Sequence, residues 1–303
     1  MAVATCTLCG SMTAAPLFEK GGQRFFQCRR CRFRFGRSEA NANFAQHFDD
    51  YEPAYRQYLG ASPVDRANHE ATVAWVERFV SVDDPAMALL DVGAGSGKFL
   101  AHLRARRRCR STGVEPSSVL HRTFDLDCLG VANLTLPAFS ESSMQTFDVV
   151  TALDVIEHVA EPVEFAQALF RVTRPGGYVF LSTPDAGSLV ARALGRHWHH
   201  YNRYHFSLFD SRAIVRLGRA AGFEAVELVH RGKRFPARYL QNYARDFLLP
   251  SRRRSRTTGE GGDWVLSLNL FDIMSVVWRR PAGPATGVDA SRSGAGTHSG
   301  AAR

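Results

Sequence analysis

"LLDVGAGSGKFL", residues 89–100, decides the fold. An apolar run ends at Asp91, Gly93, Gly95 and Gly97 follow at alternate positions, and a helical pattern starts at Lys98. Such a strand–turn–helix unit opens a doubly wound sheet, where glycine lets the backbone turn tightly and approach a ligand. The dinucleotide fingerprint G-x-G-x-x-G, begun at Gly93, needs glycine at position 98, and Lys98 stands there. No phosphate-binding loop ending in Gly-Lys-Ser or Gly-Lys-Thr is present. A carboxylate two residues before the first glycine repels phosphate and welcomes an ammonium or sulfonium.

The flanking segments extend the pattern. "RSTGVEPS" is a second strand, ending at Glu115, and "VLHRTFDLDCLG" a second helix. "GVA" is a short third strand, and "FDVVTALDVIEHV" a strand passing into a loop and helix. "VEFAQALFRVT" is a helix ended by "RPGG", followed by the strand "YVFLSTPD". "SRAIVRLGRAAGF" is a helix ended by Gly222, then come the strand "EAVELVH" and a last long strand, "LSLNLFDIMSVVWRR". Strands alternating with helices imply an α/β, mostly parallel, doubly wound sheet. An acid at the tip of the second strand can accept hydrogen bonds from both ribose hydroxyls of a nucleoside. A glycine loop preceded by a carboxylate, with that ribose-binding acid, suits S-adenosylmethionine: a nucleoside with a cationic sulfur and no phosphate.

These pieces resemble the class I S-adenosylmethionine-dependent methyltransferases, in the family's order over roughly residues 75–280. The resemblance implies a Rossmann-like, seven-stranded sheet. It also implies that Asp91, Gly93, Gly95 and Gly97 border the methionine part of the cofactor. Glu115 would hold the ribose beside Pro116 and Ser117, Asn133 and Leu134 would flank the adenine, and Asp154 would lie near the methionine end. "NLTLPAFSESSMQ" lacks the acidic residue many relatives carry beside the adenine.

Methyl transfer from a sulfonium is an in-line displacement that requires orientation of the acceptor and, for a hydroxyl or ammonium, a base. His158 in "DVIEHV" is one candidate; the alternative is that Glu157 and His158 cap the next helix and shape its loop. "GRHWHHYNRYHFSLFD", residues 195–210, follows the fifth strand and should overhang the ligand crevice. His199 and His200 there are candidate bases. His205 reads as structural, before a helix capped by Ser207 or Asp210. Cys109 and Cys128 read as small buried residues.

Cys6, Cys9, Cys28 and Cys31 have the spacing C-x2-C-x18-C-x2-C. Two such pairs at this separation read as a closed, structural zinc site, without which some 35 residues would hardly hold a core. "RFFQC" and "RFRFG" suit short strands of the ribbon. Similar bacterial methyltransferases carry a four-cysteine ribbon, a tyrosine-rich link such as "YEPAYRQYL" and then the methyltransferase domain. Some of these act on sugars or other secondary metabolites, and the wider group includes quinone-biosynthesis O-methyltransferases.

The expected organisation is a zinc ribbon at 1–36 and a helical aromatic link or lid at 37–84, with Tyr51, Tyr55 and Tyr58. The methyltransferase domain follows at 85–280 with a basic insertion at 231–263, and a disordered tail at 281–303. In "DRANHEATVAWVERFV", Ala71, Ala74, Trp75 and Phe79 share a helical face. The chain has 303 residues, 45% of them apolar, and no run near the roughly 20 apolar residues of a membrane helix. Without a signal-peptide pattern the expected compartment is the cytoplasm. The net charge of +9 rests on 38 basic residues, of which only Lys20, Lys98 and Lys233 are lysine. That imbalance reads as composition bias, so a small-molecule acceptor ranks first as partner. RNA held by the ribbon and the basic insertion ranks second; RNA-acting relatives carry a histidine in the metal set, which this chain lacks. A non-enzymatic, cofactor-binding scaffold is the third reading. Oligomeric state and accepting atom are not legible.

Overall fold

Adjacent residues of each central strand point to opposite sides of the sheet, and here both sides are covered. Leu89, Val149, Phe180 and Val277 face one buried cluster; Leu90, Val150, Leu181 and Val276 face the other. This is why the strands read as unbroken apolar runs rather than as alternation. The computed structural model describes residues 4–37, 63–236 and 265–283. The tyrosines of the link, residues 237–263 of the insertion and most of the 281–303 tail lie outside the described residues.

Among the described residues, the chain runs β1 (Ala14–Lys20), β2 (Gln23–Cys28), β3 (Arg34–Arg37), α1 (Pro63–Glu77), β4 (Ala88–Val92), α2 (Lys98–Arg106), β5 (Arg110–Val114), α3 (Ser118–Phe124). It continues with β6 (Val131–Ala132), α4 (Leu136–Ser142), β7 (Phe147–Leu153), α5 (Pro162–Val172), β8 (Thr173–Pro184), α6 (Leu189–Leu194) and β9 (Ser207–Leu208). It closes with α7 (Ser211–Ala220), β10 (Glu224–Val229), β11 (Lys233–Pro236), β12 (Val265–Leu268) and β13 (Ile273–Arg279). Seven strands form the main sheet in the order β10-β13-β8-β7-β4-β5-β6. β13 is antiparallel to β8 and β10, and the remaining pairs are parallel. The order reverses at β4, between β5 and β7, and a ligand crevice forms beyond the carboxyl ends of strands at such a switch point.

Helices α1 and α2 cover one face, and α4, α5 and α7 the other. In α1 the buried side chains are Val64, Val73, Trp75 and Val76, whereas Ala74, expected inside, is exposed. The larger apolar residues took the face: Trp75 and Phe79 meet Phe180 at ring separations of 5.0 and 5.6 Å. On the other face Gly218 lets α7 come close to Trp278 of β13; a Cβ at Gly218 would lie 2.6 Å from the Trp278 ring. Gly218→Ala is therefore expected to lower stability by about 1–3 kcal/mol through overpacking, measured as denaturant unfolding.

Three local readings change. "RPGG" does not merely end a helix, since β8 begins at Thr173 and runs through it. The last long strand is two: Asn269 Oδ1 accepts the Phe271 amide at 2.9 Å, Phe271 has φ 56°, and the turn separates β12 from β13. Cys109 is buried as expected, but Cys128 is exposed, its thiol donating to the Asp125 carbonyl.

The N-terminal strands are not a detached unit. β1, β2 and β3 form a sheet whose fourth strand is β9, from the loop after β8. Cys6, Cys28, Phe33 and Phe35 share one buried cluster with Phe209, Ile214 and the main sheet.

Candidate active site

The loop after β4 turns on Gly93 (φ 69°), Gly95 (φ 57°) and Gly97 (φ 73°). A Cβ at Gly93 would stand 2.6 Å from Val155, and one at Gly97 2.5 Å from Leu129, so both turn and packing require glycine. Glu115, just past β5, is buried against this loop. One carboxylate oxygen accepts the Gly95 amide and the other the Ser117 amide, each at 3.0 Å. Ser117 in turn caps α3 by accepting the Leu120 amide. Asn133 Nδ2 donates to the Glu115 carbonyl at 3.0 Å. Asp91 is buried and accepts from Thr151 Oγ1 at 2.6 Å. Burial pushes the carboxyls of Asp91 and Glu115 up, each to about 7.

Two cavities open at the carboxyl ends of β4, β5 and β7. The first, about 490 Å³, is lined by Val92, Glu115, Pro116, Leu134, His158 and Phe165, among others. The second, about 410 Å³, is lined by Asp91, Gly95, Asn68, His69, Ser182 and Lys233, among others. They meet at Gly93, Leu153 and Asp154, which border both. Asp154 holds a left-handed backbone (φ 57°), accepts from Ser182 Oγ at 2.9 Å and pairs with Lys233. Partial desolvation pushes the Asp154 carboxyl up, but the Lys233 ammonium and the Ser182 hydroxyl outweigh it and hold the carboxyl low.

The second cavity's outer wall was missed in the sequence. Asp65, Asn68, His69 and Thr72 line it, one helical stripe of α1 at spacings of three and four. That polar stripe, opposite the apolar face, was the available signal. Burial and the neighbouring His102 lower His69 to about 4, so its imidazole is neutral near pH 7. Lys233 carried no signal beyond being one of three lysines.

The candidate bases separate. His158 lines the first cavity, half-buried in the turn Ile156–His158. Its Nδ1 lies 2.8 Å from the Tyr204 carbonyl, which assigns the proton to Nδ1 and leaves Nε2 as the basic nitrogen. Glu157 is buried and accepts from Thr183 Oγ1 at 2.9 Å, while its carbonyl accepts the Phe206 amide at 2.7 Å. The pair thus shapes its loop, but caps no helix: α5 has Glu161 at its cap position. His199 and His200 line neither cavity. His205 is buried beside His158, with ring centroids 4.8 Å apart, and Asp210 caps α7 by accepting the Ala213 amide.

The loop carrying these histidines is gripped by the N-terminal sheet. Lys20 Nζ donates to the Trp198 carbonyl, Gln23 Nε2 to the His205 carbonyl, each at 3.0 Å, and the Gly36 amide to the Phe206 carbonyl at 2.9 Å. Arg34 reaches the Ala186 carbonyl and the Tyr201 hydroxyl, and Phe18 and Phe25 pack edge-on against the Tyr201 ring.

The four cysteine sulfurs lie within 4.8 Å of one another, with Cys6–Cys31 and Cys9–Cys28 at 3.6 Å. A tetrahedral ion with bonds of about 2.3 Å sets sulfurs about 3.8 Å apart, so the set fits a closed four-thiolate site. Each pair sits on a turn: the Gly10 amide bonds the Cys6 carbonyl and the Arg32 amide the Cys28 carbonyl, both at 2.9 Å, with positive φ at Gly10 and Arg32. Burial pushes the Cys6 thiol up to about 11, and a cation among the sulfurs would reverse that.

A model of the methyltransferase-domain family matches residues 64–228, more than half of the chain. The ubiquinone biosynthesis O-methyltransferase of Pseudomonas entomophila is 35% identical over 117 residues, 37% of this chain and 49% of that protein. Its counterpart in Paracidovorax citrulli is 34% identical over 149 residues, 47% of this chain and 58% of that protein. The matched stretch thus spans about half the length of these curated relatives. Among solved structures, one chain of a Haloferax volcanii complex of the Trm112 methyltransferase activator with a methyltransferase superposes with a TM-score of 0.51. It shows 17% identity, over 77% of this chain and 97% of that one. The cyclase SpnF also superposes with a TM-score of 0.51, at 15% identity over 79% of this chain and 95% of that one. A cyclase on the same fold means that the fold alone does not fix the reaction. The glycine loop, the acid after β5 and the match over residues 64–228 agree: the chain belongs to the methyltransferase-domain family, on the class I α/β fold.

Proposed function

We propose that this protein transfers a methyl group from S-adenosylmethionine to a hydroxyl of a small polar molecule. The carrying observation is the pair of cavities joined at Gly93, Leu153 and Asp154, one bordered by Glu115 and the other by a polar wall. The cofactor, when bound, supplies an electrophilic methyl on a sulfonium. Glu115, Pro116 and Leu134 hold the adenosine, with Asn133 fixing the backbone beneath it. Asp91 and the Gly93–Gly97 loop hold the methionine end, where the buried Asp91 carboxyl favours a positive ligand. Asn68, His69 and Lys233 orient the acceptor, and the names of the curated relatives support oxygen as its accepting atom. His158, anchored at Nδ1 by Tyr204, lines the cofactor-side cavity and takes on Nε2 the proton of an acceptor that reaches across the Gly93, Leu153 and Asp154 junction. The cysteine set Cys6, Cys9, Cys28 and Cys31 holds a structural zinc ion, with no position left for substrate. No helix among the described residues is long and apolar enough to cross a membrane.

The test is methyl transfer from labelled cofactor to a panel of hydroxylated small molecules and to bulk RNA. Product from a small molecule, with His158→Gln lowering kcat about 100-fold or more and sparing cofactor affinity, is the expected result. Label in RNA alone would overturn the acceptor class.

A pH dependence follows from the two buried acids. Their native pKa values near 7 lie above the unfolded ones of about 4. Their share of the free protein's stability is therefore full below about pH 4 and is lost as pH rises through about 7. A cationic ligand favours the ionised acids, so cofactor affinity should move the other way. Calorimetric titration is expected to show it rising from about pH 5.5 to about pH 7.5.

A further inference from the structure

The loop between α6 and β9 and the residue before β13 together carry a second donor set, remote in sequence from the cysteines. His199 and His200 each offer a ring nitrogen and Asp272 a carboxylate oxygen, and these three atoms lie within 4.8 Å of one another. We propose that His199, His200 and Asp272 bind a divalent transition-metal ion of the zinc, cobalt or nickel type, clamping this loop to the edge of the acceptor cavity.

The carboxylate is built in rather than swinging at the surface. Asp272 is buried at the foot of β13, and its Oδ2 accepts from Trp198 Nε1 at 3.3 Å. Its carbonyl accepts the Asp185 amide at 2.8 Å. The same fully buried Trp198 precedes the two histidines, so one side chain fixes both halves of the donor set, as outer-shell partners of metal ligands do. His200 is half-buried between the rings of Trp198, 4.9 Å away, and His205, 5.4 Å away and nearly parallel. Among the described residues no hydrogen bond reaches its ring nitrogens. An imidazole enclosed by rings without a polar partner is costly, and a metal ion is a partner that the Asp272 carboxylate also attracts.

The donor types choose the ion. Two imidazoles and one carboxylate suit zinc, cobalt, nickel or ferrous iron, whereas calcium and magnesium take oxygen sets. Three protein ligands leave a position for water or an oxygen ligand, unlike the closed cysteine site. The position explains a use. Ile273, next to Asp272, lines the second cavity, so an ion here ties the 195–206 loop to the cavity's wall.

The experiment uses the full chain, isolated with its cysteine site filled with zinc and titrated with cobalt chloride alone. Calorimetry and visible absorption are expected to show one cobalt ion bound per chain, with weak ligand-field bands and no thiolate charge-transfer band. His199 is exposed, so His199→Ala tests the site without risk to the core, and Asp272→Asn keeps the size that Trp198 packs against. Each should weaken binding about tenfold or more. The neighbouring exposed His197, mutated to alanine, should leave it unchanged. Cobalt binding that is absent from the wild type, insensitive to His199→Ala and Asp272→Asn, or equally sensitive to His197→Ala would overturn the proposal. The readout is metal binding, so it is independent of whether the methyl-transfer reading holds.

Discussion

Cys28→Ser is expected to unfold the N-terminal sheet and to cut turnover by orders of magnitude, while cofactor affinity falls far less. A structural zinc ion contributes about 10–16 kcal/mol in small four-ligand units, comparable to the stability of a whole domain. The β1–β3 sheet has Phe25, Phe33 and Phe35 inside, but it is small, and its cysteines are part of that interior. Losing it removes the donors of Lys20, Gln23 and Arg34 from the 195–206 loop, together with β3 as partner of β9. The same loop meets the cavity through Tyr204 and His158. Glu115 and the glycine loop, in contrast, rest on the main sheet and touch none of these contacts. Zinc content, circular dichroism, calorimetric cofactor affinity and kcat, measured on one preparation, check this. A variant without zinc but with full turnover would show that the cysteines serve neither fold nor site.

Glu115→Ala is expected to weaken S-adenosylmethionine binding by about 100-fold or more. Hydrogen bonds to a charged group contribute about 1.5–3 kcal/mol each, and the ribose offers two. The variant also strips the Gly95 and Ser117 amides of their acceptor, loosening the glycine loop from β5. Glu115→Gln keeps the volume and one oxygen, so its loss should be smaller, and the ordering of the two variants separates ribose binding from loop support. Isothermal titration reads both, and an unchanged dissociation constant for Glu115→Ala would remove the cofactor assignment.

The unit of strand, glycine turn and helix around β4 was legible because its signals are local. Asp91 to Lys98 announce a strand, a turn and a helix within a dozen residues, and Glu115 directly follows the next strand. These depend on apolar runs and on glycine's access to positive φ, which neighbouring residues alone decide. The α1 cavity wall was legible in principle, as a polar stripe, but the apolar face drew the reading and even that was misplaced onto Ala74. The break between β12 and β13 was signalled by Asn269, whose side chain turns the backbone at Phe271.

The remainder is a matter of which distant segments meet. The sequence by itself determined a doubly wound sheet, a glycine turn after its first strand and two cysteine pairs at close spacing, because each is encoded within a few residues. Only the tertiary structure decided that β9 completes the cysteine sheet and that His199 and His200 leave the cavities for Asp272. It also decided that Lys233 pairs with Asp154 at the junction. Those contacts join residues some 70 to 180 positions apart. They follow from strand order and loop length, which local pattern leaves open.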